Sequence, residues 1–388
     1  MNSVSTPPTP SPREPEPLRP RLALAGLLFT LLALWLLWPL SATPSRHLYD
    51  PTTFSRSFLS QGDVPLNAWI LAWGARSIGA GDLGDLFDAN AFHPAPNTIA
   101  YSEHMLGTLP VFAPLYWITG RLTLSHNLFV ISTFVLAGLA AYWAALRWLG
   151  SHLAAGLVGV IYAFAPSRIY ELTHVQMLST QYVPILCYLL WEGGAARPGR
   201  RWLAIAALAL LQSLCSYYLG YQAFLVAGLF LLGASFAAGE GRVRRLLWGG
   251  SALIAAAALM VGVSLPYLSV EHENPLRSMR FDTATEIAQA YLPLRADEAG
   301  WGAWLLVPIA ALYGAWVGLR SPARRTLTIT LLGTIAVLLT LAVGPDGELL
   351  GIPVGGPYRL VEAVVPGWSS MRVSWRFCFA TWLPVALL

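Results

Sequence analysis

Three stretches of the chain carry side chains whose types and spacing suit chemistry. In QGDVPLNAWILAW, Asp63 stands just before Leu66, Trp69, Ile70 and Trp73, which recur at helical spacing. Tryptophans at this spacing read as a helix lying along a membrane surface. An acid at its start has two uses: it can cap the helix and steady its dipole, or act as a general base. In YAFAPSRIYELTHVQ, Arg168, Glu171, His174 and Gln176 fall in one short turn between two apolar runs. That density of polar groups exceeds what an idle turn needs. In PGWSSMRVSWRF, Arg372 and Arg376 are four apart, which puts both on one face of a helix entering the membrane. Such a pair either reaches up to lipid headgroups or forks around the phosphate of a bound lipid.

His93, Glu103 and His104 follow in the same loop as Asp63. Their spacing fits no metal motif, so contacts to a polar substrate or a hydrogen-bonded loop framework are expected rather than a metal site. No cofactor is expected; the chemistry tolerates a divalent ion without requiring one. Tyr217, Tyr218 and Tyr221 read as part of an aromatic belt. Cys187, Cys215 and Cys378 sit in apolar runs without CxxC spacing and read as small core residues.

The elements that must position these groups follow from composition. Of 388 residues, 56% are hydrophobic and 11% charged, with mean hydropathy +0.56. A soluble domain carries about a quarter charged residues, so lipid is the expected solvent. The net charge of +4 is carried by arginine alone, in no pattern that suits nucleic acid. Residues 1–20 are proline-rich and polar, the signature of a disordered tail. Leu22 to Leu40 reads as a first permanent span, because Leu40-Ser41-Ala42 is a poor signal-peptide cleavage site. Further apolar runs at about 126–146, 149–166, 175–191, 202–218, 221–238, 246–268, 301–319, 326–343 and 373–388 give an all-α, multi-pass membrane protein of about ten spans.

The run 105–119, with Pro110 and Pro114 inside it, reads as re-entrant or interfacial. At about 1.5 Å per residue its length covers only about 22 Å of a core of about 30 Å. With that assignment, ten arginines (Arg147; Arg197, Arg200, Arg201; Arg242, Arg244, Arg245; Arg320, Arg324, Arg325) gather in short turns on one side. Nearly all the acids lie on the other. The positive-inside rule then makes the arginine side and the N-terminus cytoplasmic. Large extracytoplasmic loops result at 41–125, 269–300 and 344–372. The chain stops inside its last apolar run, the pattern expected of a truncated product with spans beyond residue 388.

A short N-terminal span, a long first outer loop with an early Asp, and paired spans with inner arginines resemble the GT-C class of polytopic glycosyltransferases. QGDVPLNAWILAW, FHPAPNTIAYSEHMLG, YAFAPSRIYELTHVQ and PGWSSMRVSWRF further resemble bacterial membrane proteins classed near the protein-mannosyltransferase-like and YfhO-like families. The resemblance covers about residues 20–388 and rests on no single diagnostic motif. It implies a bacterial plasma-membrane enzyme that moves a sugar from a polyprenyl-phosphate donor to a glycan, lipid or protein acceptor in the cell envelope. It implies that Asp63 is the base, with Asp88 and Glu103 as the other acids of the loop, although the adjacent-acid or Asp-x-Asp pattern common in the class is absent. His93, His104, Arg168, His174, Gln176, Arg372 and Arg376 would then contact substrate. Two other readings stand beside this one, a transporter or lipid-linked flippase and a non-catalytic envelope scaffold. The first should place ionisable residues at mid-membrane and repeat between halves, and neither is seen.

Overall fold

The computed structural model describes residues 18–49, 62–192, 198–270, 304, 306–349 and 352–388. The described chain is almost entirely helical. In order the helices are α1 (Leu18–Leu36), α2 (Asp63–Ala80), α3 (Leu109–Thr119), α4 (Leu122–Leu149), α5 (His152–Ala163), α6 (Pro166–Tyr170) and α7 (Tyr182–Glu192). They continue as α8 (Pro198–Cys215), α9 (Tyr217–Ala237), α10 (Arg242–Ser269), α11 (Leu306–Arg320), α12 (Arg325–Ala342), α13 (Gly356–Val364) and α14 (Cys378–Leu387). One antiparallel pair of two-residue strands, Glu348–Leu349 and Ile352–Pro353, precedes α13.

Among the described residues, five helical stretches are long and apolar enough to cross a membrane: Leu122–Leu149, His152–Tyr170, Tyr217–Ala237, Arg242–Ser269 and Arg325–Ala342. Large apolar side chains cover the outside of the bundle, among them Leu24, Trp35, Ile254 and Leu312. A contiguous apolar exterior of this kind suits lipid better than water. Inside, glycines let helices close up as they do in membrane bundles. A Cβ on Gly138 or Gly159 would come within 2.9 Å or 2.5 Å of the Phe29 ring, so α1 packs by pressing that ring between α4 and α5.

The helix ends follow local chemistry. Gly120 and Gly150 close α3 and α4 in the left-handed conformation that glycine adopts freely. The Ser151 hydroxyl accepts from the Ala154 N–H and opens α5. The expected run at 175–191 is helical only from Tyr182, where Pro184 falls in the first turn that tolerates it. Residues before it form a buried 3₁₀ turn and irregular backbone, held where Tyr162 Oη donates to the Thr180 carbonyl and Gln212 Nε2 to that of Ser179.

The arginine turns gather at one end of the bundle. Arg147 lies over the Trp143 ring at 3.6 Å. Arg201 donates to the Leu189 carbonyl and Arg245 to that of Trp191, so both satisfy the last turn of α7. Asp63, Glu103, Glu171 and the start of α14 lie at the opposite end. Helix α3, with 11 residues, is about 16 Å long at 1.5 Å per residue and too short to cross. The 3₁₀ turn leading into it meets the far end of α8, where a Cβ on Gly107 would fall 2.1 Å from the Leu211 carbonyl oxygen. Of the disordered tail read over 1–20, residues 18–20 belong to α1 and the rest lie outside the described residues, as do residues 271–300 of the loop read over 269–300.

Candidate functional site

Helix α2 is more deeply seated than its tryptophan spacing suggests. Val64, Asn67, Ile70 and Leu71 are buried, and only Leu66 of the expected surface stripe is exposed. Asp63 occupies the first turn of α2, after the N-cap Gly62. Its carboxylate accepts from His174: Nε2 lies 3.2 Å from Asp63 Oδ2. One helical turn on, Asn67 Nδ2 donates to the Thr173 carbonyl at 3.0 Å, so the same face of α2 grips the 171–174 segment twice.

The other imidazole nitrogen of His174, Nδ1, lies 2.6 Å from Glu171 Oε2. Glu171 is in turn held by Arg376, whose Nε and Nη2 donate to its two oxygens at 2.8 and 2.9 Å. The result is a chain of charges, Asp63–His174–Glu171–Arg376, that joins α2, the α6–α7 connection and the segment before α14. Its inner half is dry, with Glu171 2% and Arg376 9% exposed, while Asp63 keeps 35% of its side chain accessible. Burial alone would lift the Glu171 carboxyl, but Arg376 and His174 beside it hold it down at about 2. Burial would likewise depress the His174 imidazole, yet Glu171 and the bond to Asp63 hold it up at about 9 against the opposing charge of Arg376. His174 is therefore an imidazolium at neutral pH with a carboxylate beside each ring nitrogen, and Thr173 Oγ1 also lies 3.0 Å from Nδ1.

Helix α9 anchors the Arg376 end. Tyr218 Oη accepts from the backbone N–H groups of Arg372 and Val373 at 3.0 and 3.2 Å, and its ring lies 4.8 Å under the Arg376 guanidinium. Gln222, one turn further, donates to the Arg376 carbonyl at 2.9 Å. The helix expected across 372–376 is not formed. Arg372 and Val373 lie in non-helical backbone, a 3₁₀ turn covers Ser374–Phe377, and α14 starts at Cys378. Arg372 and Arg376 consequently share no helical face, and Arg376 spends two of its donor groups on Glu171 rather than forming half of an open fork.

The remaining sequence candidates lie outside this chain of charges, and of them Glu103 and Gln176 meet each other. Glu103 sits at the start of α9, accepting from Ser216 Oγ at 2.6 Å, the Tyr217 N–H at 2.7 Å and Gln176 Nε2 at 3.2 Å. A carboxylate there satisfies an open helix donor and meets the positive end of the dipole. His104 is buried among Phe87, Tyr217 and Tyr267. Its Nδ1 accepts from the Leu106 N–H, and burial lowers the imidazole to about 3. Asp88 is exposed and accepts from the Asn97 N–H, closing a loop turn. His93 is exposed beside a cis peptide to Pro94. Arg168 is buried, donating to the carbonyls of Ala163 and Thr133 and to Thr180 Oγ1. Gln176 is buried, and its Oε1 has no hydrogen-bond partner among the described residues. Among the described residues no three His, Cys, Asp or Glu side chains group closely enough to hold a metal ion.

Of the residues singled out in the sequence, the structure brings together Asp63, His174, Glu171 and Arg376 in one chain and joins Glu103 to Gln176 beside it. Tyr218 and Gln222 were missed as site residues. Their only sequence signal is an i, i+4 pair of polar groups at the start of an otherwise apolar run. No protein-family model, curated protein or solved structure matches this chain.

Proposed function

We propose that this chain is a multi-pass protein of the bacterial plasma membrane, with about ten spans and its arginine turns in the cytoplasm, that transfers a sugar from a polyprenyl-phosphate donor to an extracytoplasmic acceptor. The observation that carries the reading is the partly exposed Asp63 carboxylate. It is held in place at the end of the bundle away from the arginine turns, where a lipid-borne donor and an envelope acceptor could meet. Asp63 takes the proton of the acceptor hydroxyl as that oxygen attacks the anomeric carbon. The bond from that carbon to the phosphate oxygen breaks, its electron pair leaves with the polyprenyl phosphate, and the transition state has oxocarbenium character by analogy with glycoside chemistry. Arg372, in the segment held by Tyr218, is the residue assigned to the departing phosphate. Arg376, in the same segment, gives two of its donors to Glu171.

The test is sugar transfer in reconstituted vesicles with a panel of radiolabelled polyprenyl-phosphate sugars. Wild type should transfer from at least one donor, and the Arg372→Gln variant should bind that donor at least about tenfold more weakly, the loss of one charge-assisted contact. No transfer from any donor by a folded wild-type protein contradicts the reading and favours the transporter alternative.

A further inference from the structure

A general base at a lipid–water boundary faces two problems. Its carboxylate must point at the incoming hydroxyl, and the site must tolerate the charge change when the proton arrives. Both are answered by groups behind Asp63 that need not touch substrate. His174 donates from Nε2 to Asp63 Oδ2, and among the described residues Oδ1 takes no hydrogen bond. The imidazole cannot turn away, because its Nδ1 is held by Glu171 at 2.6 Å. Glu171 cannot turn away either, because both its oxygens are taken by Arg376. Arg376 is fixed through its carbonyl by Gln222 and under its guanidinium by the Tyr218 ring.

We propose that His174, Glu171 and Arg376 are a positioning relay that fixes one oxygen of Asp63 and presents the other to the acceptor hydroxyl. The inference rests on the glycosyltransferase reading and adds to it the residues that make Asp63 competent. The four side chains carry two negative and two positive charges, so the resting site is neutral. When Asp63 takes the acceptor proton, the site gains one positive charge next to the newly freed phosphate. No proton passes along the relay: His174 keeps both of its protons, and Glu171 and Arg376 stay charged. The groups that face His174 are Asp63 from α2, Glu171 from its own connection and Arg376 from the segment before α14, with Tyr218 and Glu103 further out around Arg376.

The relay makes a demand that a merely structural histidine does not. In the His174→Ala variant kcat should fall about 100-fold, the scale of a misoriented catalytic group, while KM for the lipid donor changes by less than about threefold. Added imidazole should enter the partly exposed gap and restore at least about tenfold of the lost rate, a gain that the His174→Ala/Asp63→Asn double variant should not show. Turnover at the wild-type rate in His174→Ala, or a loss that imidazole leaves untouched in a folded protein, overturns the proposal. Nitrogen-15 spectra of the histidines give a readout that needs no turnover. Both ring nitrogens of His174 should be protonated at neutral pH, and the Nε2 signal should move in Asp63→Asn. A neutral His174 ring overturns the relay. A wild-type protein that transfers no sugar but holds a doubly protonated His174 overturns the transferase reading and keeps the relay geometry.

Discussion

Glu171 and Arg376, 205 residues apart, meet through two hydrogen bonds of 2.8 and 2.9 Å in the dry interior near one end of the bundle. The pair ties the connection between α6 and α7 to the start of α14, so it sets how the last helix seats against the rest of the protein.

Removing either partner leaves a buried charge alone, which destabilises a fold by about 3–5 kcal/mol. Glu171→Gln and Arg376→Met should each lower stability by roughly that amount in detergent, measured by thermal or denaturant unfolding. The double variant should lose markedly less than the two single losses together. Additive losses would mean that the two side chains are not coupled.

Acid and alkali should act on this cluster in opposite ways. The His174 imidazole is held up at about 9, so its contribution to stability is complete below about pH 6.5 and is lost as pH rises through 9. The Glu171 carboxyl is held down at about 2, so its contribution is complete above about pH 4.5 and is lost as pH falls through 2. A melting-temperature profile should therefore show an alkaline limb between about pH 6.5 and 9 that is missing in His174→Gln. An identical limb in that variant would assign it to another group.

The sequence marks the polar stretches but not their pairing. Asp63, His174 and Arg376 stand out because charge is scarce in an apolar chain, and their stretches are legible for that reason alone. The expected Arg372–Arg376 face presupposes a helix. Gly367 turns the chain in a left-handed conformation, and Tyr218 then satisfies the N–H groups of Arg372 and Val373 outside any helix. A hydroxyl supplied from more than 150 residues away leaves no local trace. The same holds at 175–181, where side chains from other helices take up backbone carbonyls and make irregular backbone tolerable inside the bundle. Helices such as α4, α9 and α10 were readable because apolar length alone determines them.

Gly107 should be intolerant of any side chain. A methyl group there meets the Leu211 carbonyl oxygen and the Cys215 nitrogen at 2.1 and 2.6 Å, and backbone cannot step aside. Gly107→Ala should destabilise by at least about 1–3 kcal/mol, whereas Gly84→Ala, which meets nothing within 4 Å, should leave the melting temperature unchanged. Equal melting temperatures for the two variants would contradict the close approach of this turn to α8.

The proposed topology puts 105–119 at the extracytoplasmic surface, as a re-entrant or interfacial segment. A single cysteine placed at Thr119, in a background without Cys187, Cys215 and Cys378, should react with a membrane-impermeant thiol reagent added outside cells. A cysteine at Arg201 should stay protected until the membrane is opened. The reverse pattern would invert the proposed orientation.

The most direct test of the account is sugar transfer by wild type beside Asp63→Asn in reconstituted vesicles, with matched folding and matched donor binding. The account predicts transfer in wild type and a loss of about 100-fold or more in the variant, the scale of a missing general base. Transfer at the wild-type rate by Asp63→Asn would contradict it.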